Sequence, residues 1–92
     1  MSKISTYLTI LDHLRDNEPT GIYSAGVAAD YLEFQASRPD RPVSLNTFLA
    51  YTGQAYPSIY MRAGRVLGLL EQRGIVRRVR SVKGSEECWT LA

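Results

Sequence analysis

A single cysteine, Cys88, leaves no partner for an intrachain disulfide and no cluster of thiolate metal ligands, and such usage fits a reducing cytoplasm. A single histidine, His13, is nearly as restrictive. It follows Asp12 on an expected helix, where adjacent residues do not face each other, so it reads as a surface or half-buried residue without an acid–base partner. Phosphate-cradling glycine loops, metal-ligand spacings and paired carboxylates are missing too. The glycine-bearing "AGRVLG" falls inside an expected helix and is not a nucleotide loop. No enzymatic activity and no cofactor are therefore expected. Long apolar runs are also lacking: the N-terminal "MSKISTYLTILDHLRDNEP" is too broken for a signal peptide and too short and polar to cross a bilayer, so no membrane partner is expected.

What is present is an ordinary globular composition. With 45% apolar and 22% charged residues, the 92 residues suit one domain with one core. The charge is unevenly placed. The net value is +2, but residues 1–57 carry −2 and residues 58–92 carry +4. Positive charge gathered in one half points to a polyanionic partner, against the plainer alternative of a solvated basic face.

Ile4, Leu8, Leu11 and Leu14, with Tyr7 and Ile10 beside them, recur at spacings of three and four and predict a helix over residues 4–16, closed by Asn17 and Pro19. "PTGIYS" reads as a turn into a short extended segment, and Ser24 as the cap of a second helix, "AGVAADYLEFQA". Its core residues are expected to be Val27, Ala28, Tyr31, Leu32 and Phe34. The proline-punctuated "SRPDRP" is a loop. Ser44 begins a short third helix, ended by Gly53. A fourth helix opens at Ser58, or at Tyr56 with Pro57 in the first helical position, and runs to about Arg73 before Gly74. Ile59, Ala63, Val66, Leu67 and Leu70 form its apolar stripe. Gly64 and Gly68 inside it cost roughly 2 kcal/mol together relative to alanine and are read as places where another backbone packs closely. "IVRRVRSV" and "ECWTL" flank "KGSE" as a β-hairpin. In the second strand Trp89 and Leu91 make an apolar face and Cys88 and Thr90 a more polar one, with Cys88 at the edge of the core.

Helix, helix, short helix, sharp turn, helix, basic hairpin: in this order, residues 44–91 resemble the winged helix-turn-helix family. "LGLLEQRGIVRRV" is similar to that family's recognition-helix ends, with a leucine, a charged triplet, a glycine and two aliphatics. The resemblance implies a mainly α (α+β) fold of three to four helices followed by a C-terminal β-hairpin wing. The helix-turn-helix would span about 44–73 and the wing about 75–91. It further implies a sequence-specific protein that binds double-stranded DNA, a small transcriptional regulator such as a repressor, of phage or plasmid type by its size.

On the fourth helix Ser58, Met61, Arg62, Arg65 and Gln72 lie opposite the apolar stripe, with Tyr60 on a flank. A major groove admits one helix, so Arg62 or Arg65 would set a guanidinium fork on guanine, worth roughly 1–3 kcal/mol of discrimination. Ser58 and the free amides of the first turn suit a phosphate oxygen. In the wing, Arg78, Arg80 and Val82 share one face and Arg77 and Val79 the other, with Lys83 at the tip. Such arginines lie along phosphates or enter a narrow minor groove. Glu86 and Glu87 oppose this by cross-pairing with Arg80 or Arg78. Four to five neutralised phosphates would give a slope of log affinity on log salt of about −4. One module covers little DNA, so a homodimer through the first helix, with Tyr7 and Ile10 in its face, is expected. The alternative keeps the same fold but turns it against an acidic protein surface, using the tyrosines of "YTGQAYPSIYM" as anchors. RNA recognition would need an aromatic platform on a sheet, which the sequence lacks.

Overall fold

The computed structural model describes residues 3–15, 21–80 and 87–92. Four helices come first: α1 (Lys3–Leu14), α2 (Gly21–Ala36), α3 (Leu45–Tyr51) and α4 (Pro57–Gln72). Two antiparallel strands, β1 (Val76–Arg80) and β2 (Glu87–Leu91), follow as a hairpin. The chain is thus mainly helical with a small C-terminal sheet. No helix among the described residues is long and apolar enough to cross a membrane.

α2 is the central element, packed against α1, α4 and β2. Ala25, Ala28 and Ala29 are buried along it together with Val27, Tyr31 and Leu32, and small residues on several sides let neighbours approach from more than one direction. That packing also explains where the helix begins. The chain is already helical at Gly21, so the extended segment expected before Ser24 is not formed, and Ser24 is a buried residue inside the helix instead of its cap. The apolar contacts of the surrounding helices outweigh the local preference of serine for a helix start.

In α1 the core face is Thr6, Ile10 and Leu14, while Ile4 and Leu8 remain 70% and 57% exposed. The expected stripe is therefore rotated at its N-terminal end. Thr6 turns inward because its hydroxyl donates to Glu33 Oε2 of α2 at 2.9 Å, which satisfies a polar group that burial would otherwise penalise. The residues expected to close α1, Asn17 and Pro19, lie outside the described residues.

α3 and α4 stop in the same way. Gly53 and Gly74 take φ of 73° and 75°, a region that glycine enters without steric cost. After α3, the Gln54 amide donates to the Leu49 carbonyl (2.8 Å) and that of Gly53 to Ala50 (3.2 Å); after α4, Ile75 donates to Leu70 (3.0 Å) and Gly74 to Glu71 (3.1 Å). Both are the paired hydrogen-bond pattern by which a left-handed residue satisfies the last carbonyls of a helix. Ser44 caps α3, its hydroxyl accepting from the Thr47 amide at 3.1 Å. α4 starts at Tyr56 with Pro57 as its first helical residue, the second of the two openings expected.

The hairpin register pairs Val76 with Leu91, Arg77 with Thr90, Arg78 with Trp89, Val79 with Cys88 and Arg80 with Glu87. Val76 and Trp89 are buried on the core side, and Ala63, Val66, Leu67 and Leu70 of α4 join the same cluster. Ile59 is only half-buried at its edge. On the other face of β2, Cys88, expected at the edge of the core, is completely buried. It is covered by the 37–43 loop through a polar knot. The Tyr31 hydroxyl donates to the Val43 carbonyl (2.7 Å), and the Trp89 amide donates to the Tyr31 oxygen (3.1 Å). The Gln35 side-chain nitrogen donates to the Trp89 carbonyl (2.9 Å) and to the Tyr31 oxygen (3.0 Å), while its oxygen accepts from the Val43 amide (2.9 Å). Three distant segments are held by two side chains.

Candidate functional site

α4 presents its outer face because of how it is enclosed. With about 100° between successive residues, Ser58, Met61, Arg65 and Gln72 fall close to one line, and Arg62 lies about 60° to one side. Glu71 lies about 120° to the other side, where the hairpin joins. Ser58, Met61, Arg62, Arg65 and Gln72 are all exposed. Neither Arg62 nor Arg65 makes an ion pair with a described residue. Tyr60 is half-buried and packs against the core, so its ring belongs to the fold.

Gly64 and Gly68 have a different meaning from the one expected. A Cβ built on either would meet nothing within 4 Å, so no other backbone approaches them. They leave a bare strip along α4 between its exposed arginines and the hairpin.

The hairpin is fastened to α4 by one carboxylate. Glu71 Oε1 accepts from Arg78 Nη2 at 3.1 Å and from the Trp89 indole nitrogen at 3.2 Å, and the Arg78 guanidinium lies over that same indole, 5.2 Å from the ring centroid. Glu71 is the single acidic residue of α4, and the hairpin engages it. The outer face of the helix is left with cations and no carboxylate of its own.

Of the residues singled out in the sequence, the structure therefore brings Ser58, Met61, Arg62 and Arg65 together on one exposed face. Arg78 is drawn instead to the flank of α4, against Glu71 and Trp89. Arg77 points to the opposite face of the hairpin from Arg78, toward the 37–43 loop. Arg80 ends β1 opposite Glu87 in the register, and its side chain lies outside the described residues, as do Lys83, Val82 and Glu86. Sequence reasoning passed over Arg38, which lines a recess with Arg77. No periodicity marks it, because its place depends on the loop folding back over the sheet.

Among the described residues no group of three or more His, Cys, Asp or Glu side chains could hold a metal ion. Among the described residues the strongly perturbed titration is that of Tyr31, whose hydroxyl is held well above the ordinary phenol range by burial and by its contact with Cys88. That group serves the polar knot, not the α4 face. No family model, curated protein or solved structure matches the chain.

Proposed function

We propose that the chain is a winged helix-turn-helix domain that binds double-stranded DNA, with α4 as the recognition helix in the major groove and the hairpin as the wing. One observation carries this reading: the only carboxylate of α4 is engaged by Arg78 and Trp89, so Arg62 and Arg65 stand on an exposed helical face with no ion-pair partner among the described residues. A helix placed in a groove lined by phosphates benefits from that arrangement. The five-residue connection from Thr52 to Tyr56 supports it by setting α3 close behind α4. Arg62 and Arg65 are the base-reading candidates, Ser58 and the first-turn amides the phosphate contacts, and Arg78 the residue that holds the wing. A regulator of transcription is the role that such a module fits.

With Arg78 engaged internally, about three to four phosphates remain to be neutralised, for an expected salt slope of about −3. Titration of mixed-sequence duplex at two salt concentrations tests this. Arg62→Ala and Arg65→Ala should each weaken binding without altering the melting temperature, and a wild-type protein with no salt-sensitive duplex affinity would remove the proposal. A dimer would raise the DNA area covered. Ile10 is buried in the monomer, so the dimer face is better sought at Ile4, Ile22 and Tyr23, which are exposed around a groove of about 550 Å³, and at Leu8, exposed on α1. Sedimentation of Leu8→Lys against wild type checks it.

A second reading rests on Tyr51, Tyr56 and Met61, each more than 60% exposed around the α3–α4 turn. Large amphipathic side chains of this kind anchor protein interfaces, and an acidic protein surface would suit the neighbouring arginines. The same duplex titration separates the two.

A further inference from the structure

Behind the hairpin, on the face turned away from Arg78 and Glu71, lies a recess of about 200 Å³ between the 37–43 loop and the sheet. Arg38 and Arg77 both line it, with Thr90 beside Arg77 in the strand register and Pro39 and Pro42 in the wall. We infer that this recess is a phosphate-binding site, with the Arg38 and Arg77 guanidinium groups as its ligands and the Thr90 hydroxyl as a third donor.

Several observations converge on it. Two like charges from segments 39 residues apart in sequence are brought to one small hollow, and neither makes an ion pair with a described residue. Like charges at short range repel, and an anion between them turns that cost into attraction. Arg38 is not loose: its guanidinium stacks over the Phe34 ring, 5.1 Å from the centroid. The Arg77 backbone is held in the β-ladder opposite Thr90. The floor is equally fixed, since the Gln35 amide is committed to Val43, Tyr31 and Trp89 and has nothing left to fill the hollow with. Two prolines restrict the loop backbone. The carboxylate nearest in sequence to Arg38, Asp40, is exposed and does not line the recess. Planar guanidinium forks suit the tetrahedral oxygens of phosphate better than an ammonium would. A volume of this size equals roughly six or seven waters at ~30 Å³ each, enough for a phosphate group with part of its hydration.

The inference stands apart from the proposal for α4, because it involves none of the residues on the outer face of that helix. It is tested with inorganic phosphate titrated into ¹⁵N-labelled protein, against sodium chloride at matched ionic strength. Amide shifts should centre on Arg38, Arg77 and Thr90 and saturate. The Arg38→Gln/Arg77→Gln variant, with its melting temperature checked, should bind phosphate at least about tenfold more weakly. Shifts that match the chloride control, or that persist in the double variant, would overturn the inference. The source of the phosphate is then resolved with duplex DNA. If the double variant lowers the salt slope by about two, the ligand is a backbone phosphate. If phosphate binding is lost and duplex affinity is unchanged, the ligand is a small phosphorylated molecule or the free anion.

Discussion

Glu71 and Arg78, seven residues apart on either side of the Gly74 turn, meet at 3.1 Å and fasten the hairpin to the flank of α4. Half of the Arg78 side chain is exposed, so solvent screens the pair, and a double-mutant cycle between Glu71→Ala and Arg78→Ala should give a coupling below about 1 kcal/mol. Glu71→Ala should still cost more than Arg78→Ala, by about 1 kcal/mol, because it also strips the Trp89 indole of its acceptor. Urea unfolding of the three variants checks both statements.

Gly64→Ala and Gly68→Ala should each stabilise the protein by about 0.5–1 kcal/mol, since glycine is the poorer helix former and the added methyl meets open space. Thermal melts measure this. Under the proposed function, Gly68→Ala should at the same time reduce duplex affinity, because the methyl stands on the face that approaches the groove.

Gln35→Leu removes a side chain that serves the Val43 amide, the Tyr31 oxygen and the Trp89 carbonyl at once. The stranded groups are buried or nearly so, and the loss of stability should be about 2–4 kcal/mol. Chemical denaturation reads it directly, and a loss under 1 kcal/mol, on the order of one ordinary hydrogen bond, would show that water replaces the amide.

Tyr31 gives a pH dependence of known sign. Burial raises its folded pKa above that of the unfolded chain, so the folded state holds its proton more tightly. The stability this contributes is complete below the unfolded value of about 10 and is lost as pH rises above it, at up to about 1.4 kcal/mol per pH unit. Ultraviolet titration should show Tyr31 ionising only with unfolding, and loss of its phenol signal change in the Tyr31→Phe variant identifies it.

The elements whose ends are decided by local chemistry were legible in the sequence. Ser44, Gly53 and Gly74 act through their own backbone or a partner three to five residues away, and each does what its residue type implies. Pro57 likewise fixes the start of α4. The failures share a cause in long-range partners. Thr6 is buried because Glu33 receives it, Ser24 because neighbouring helices enclose it, and Cys88 because the 37–43 loop closes over it. A pattern of residue types carries no record of such contacts. The site was legible to the same extent: helical spacing put Arg62 and Arg65 on the outer face of α4, but strand alternation could not say that the face carrying Arg78 also carries Trp89 and turns inward at its base. Arg38 escaped notice because nothing near it in sequence shows where its loop comes to rest.

The closed position of Cys88 gives the molecule a built-in timer. Its sulfur sits sealed between the loop and the sheet, near the Val43 carbonyl at 3.2 Å, with no surface for a reagent to attack. A thiol-modifying dye can therefore react only during the intervals when the second strand lifts away, and the labelling rate counts those excursions. A ligand that grips the hairpin from either side should slow that count before it changes any spectrum.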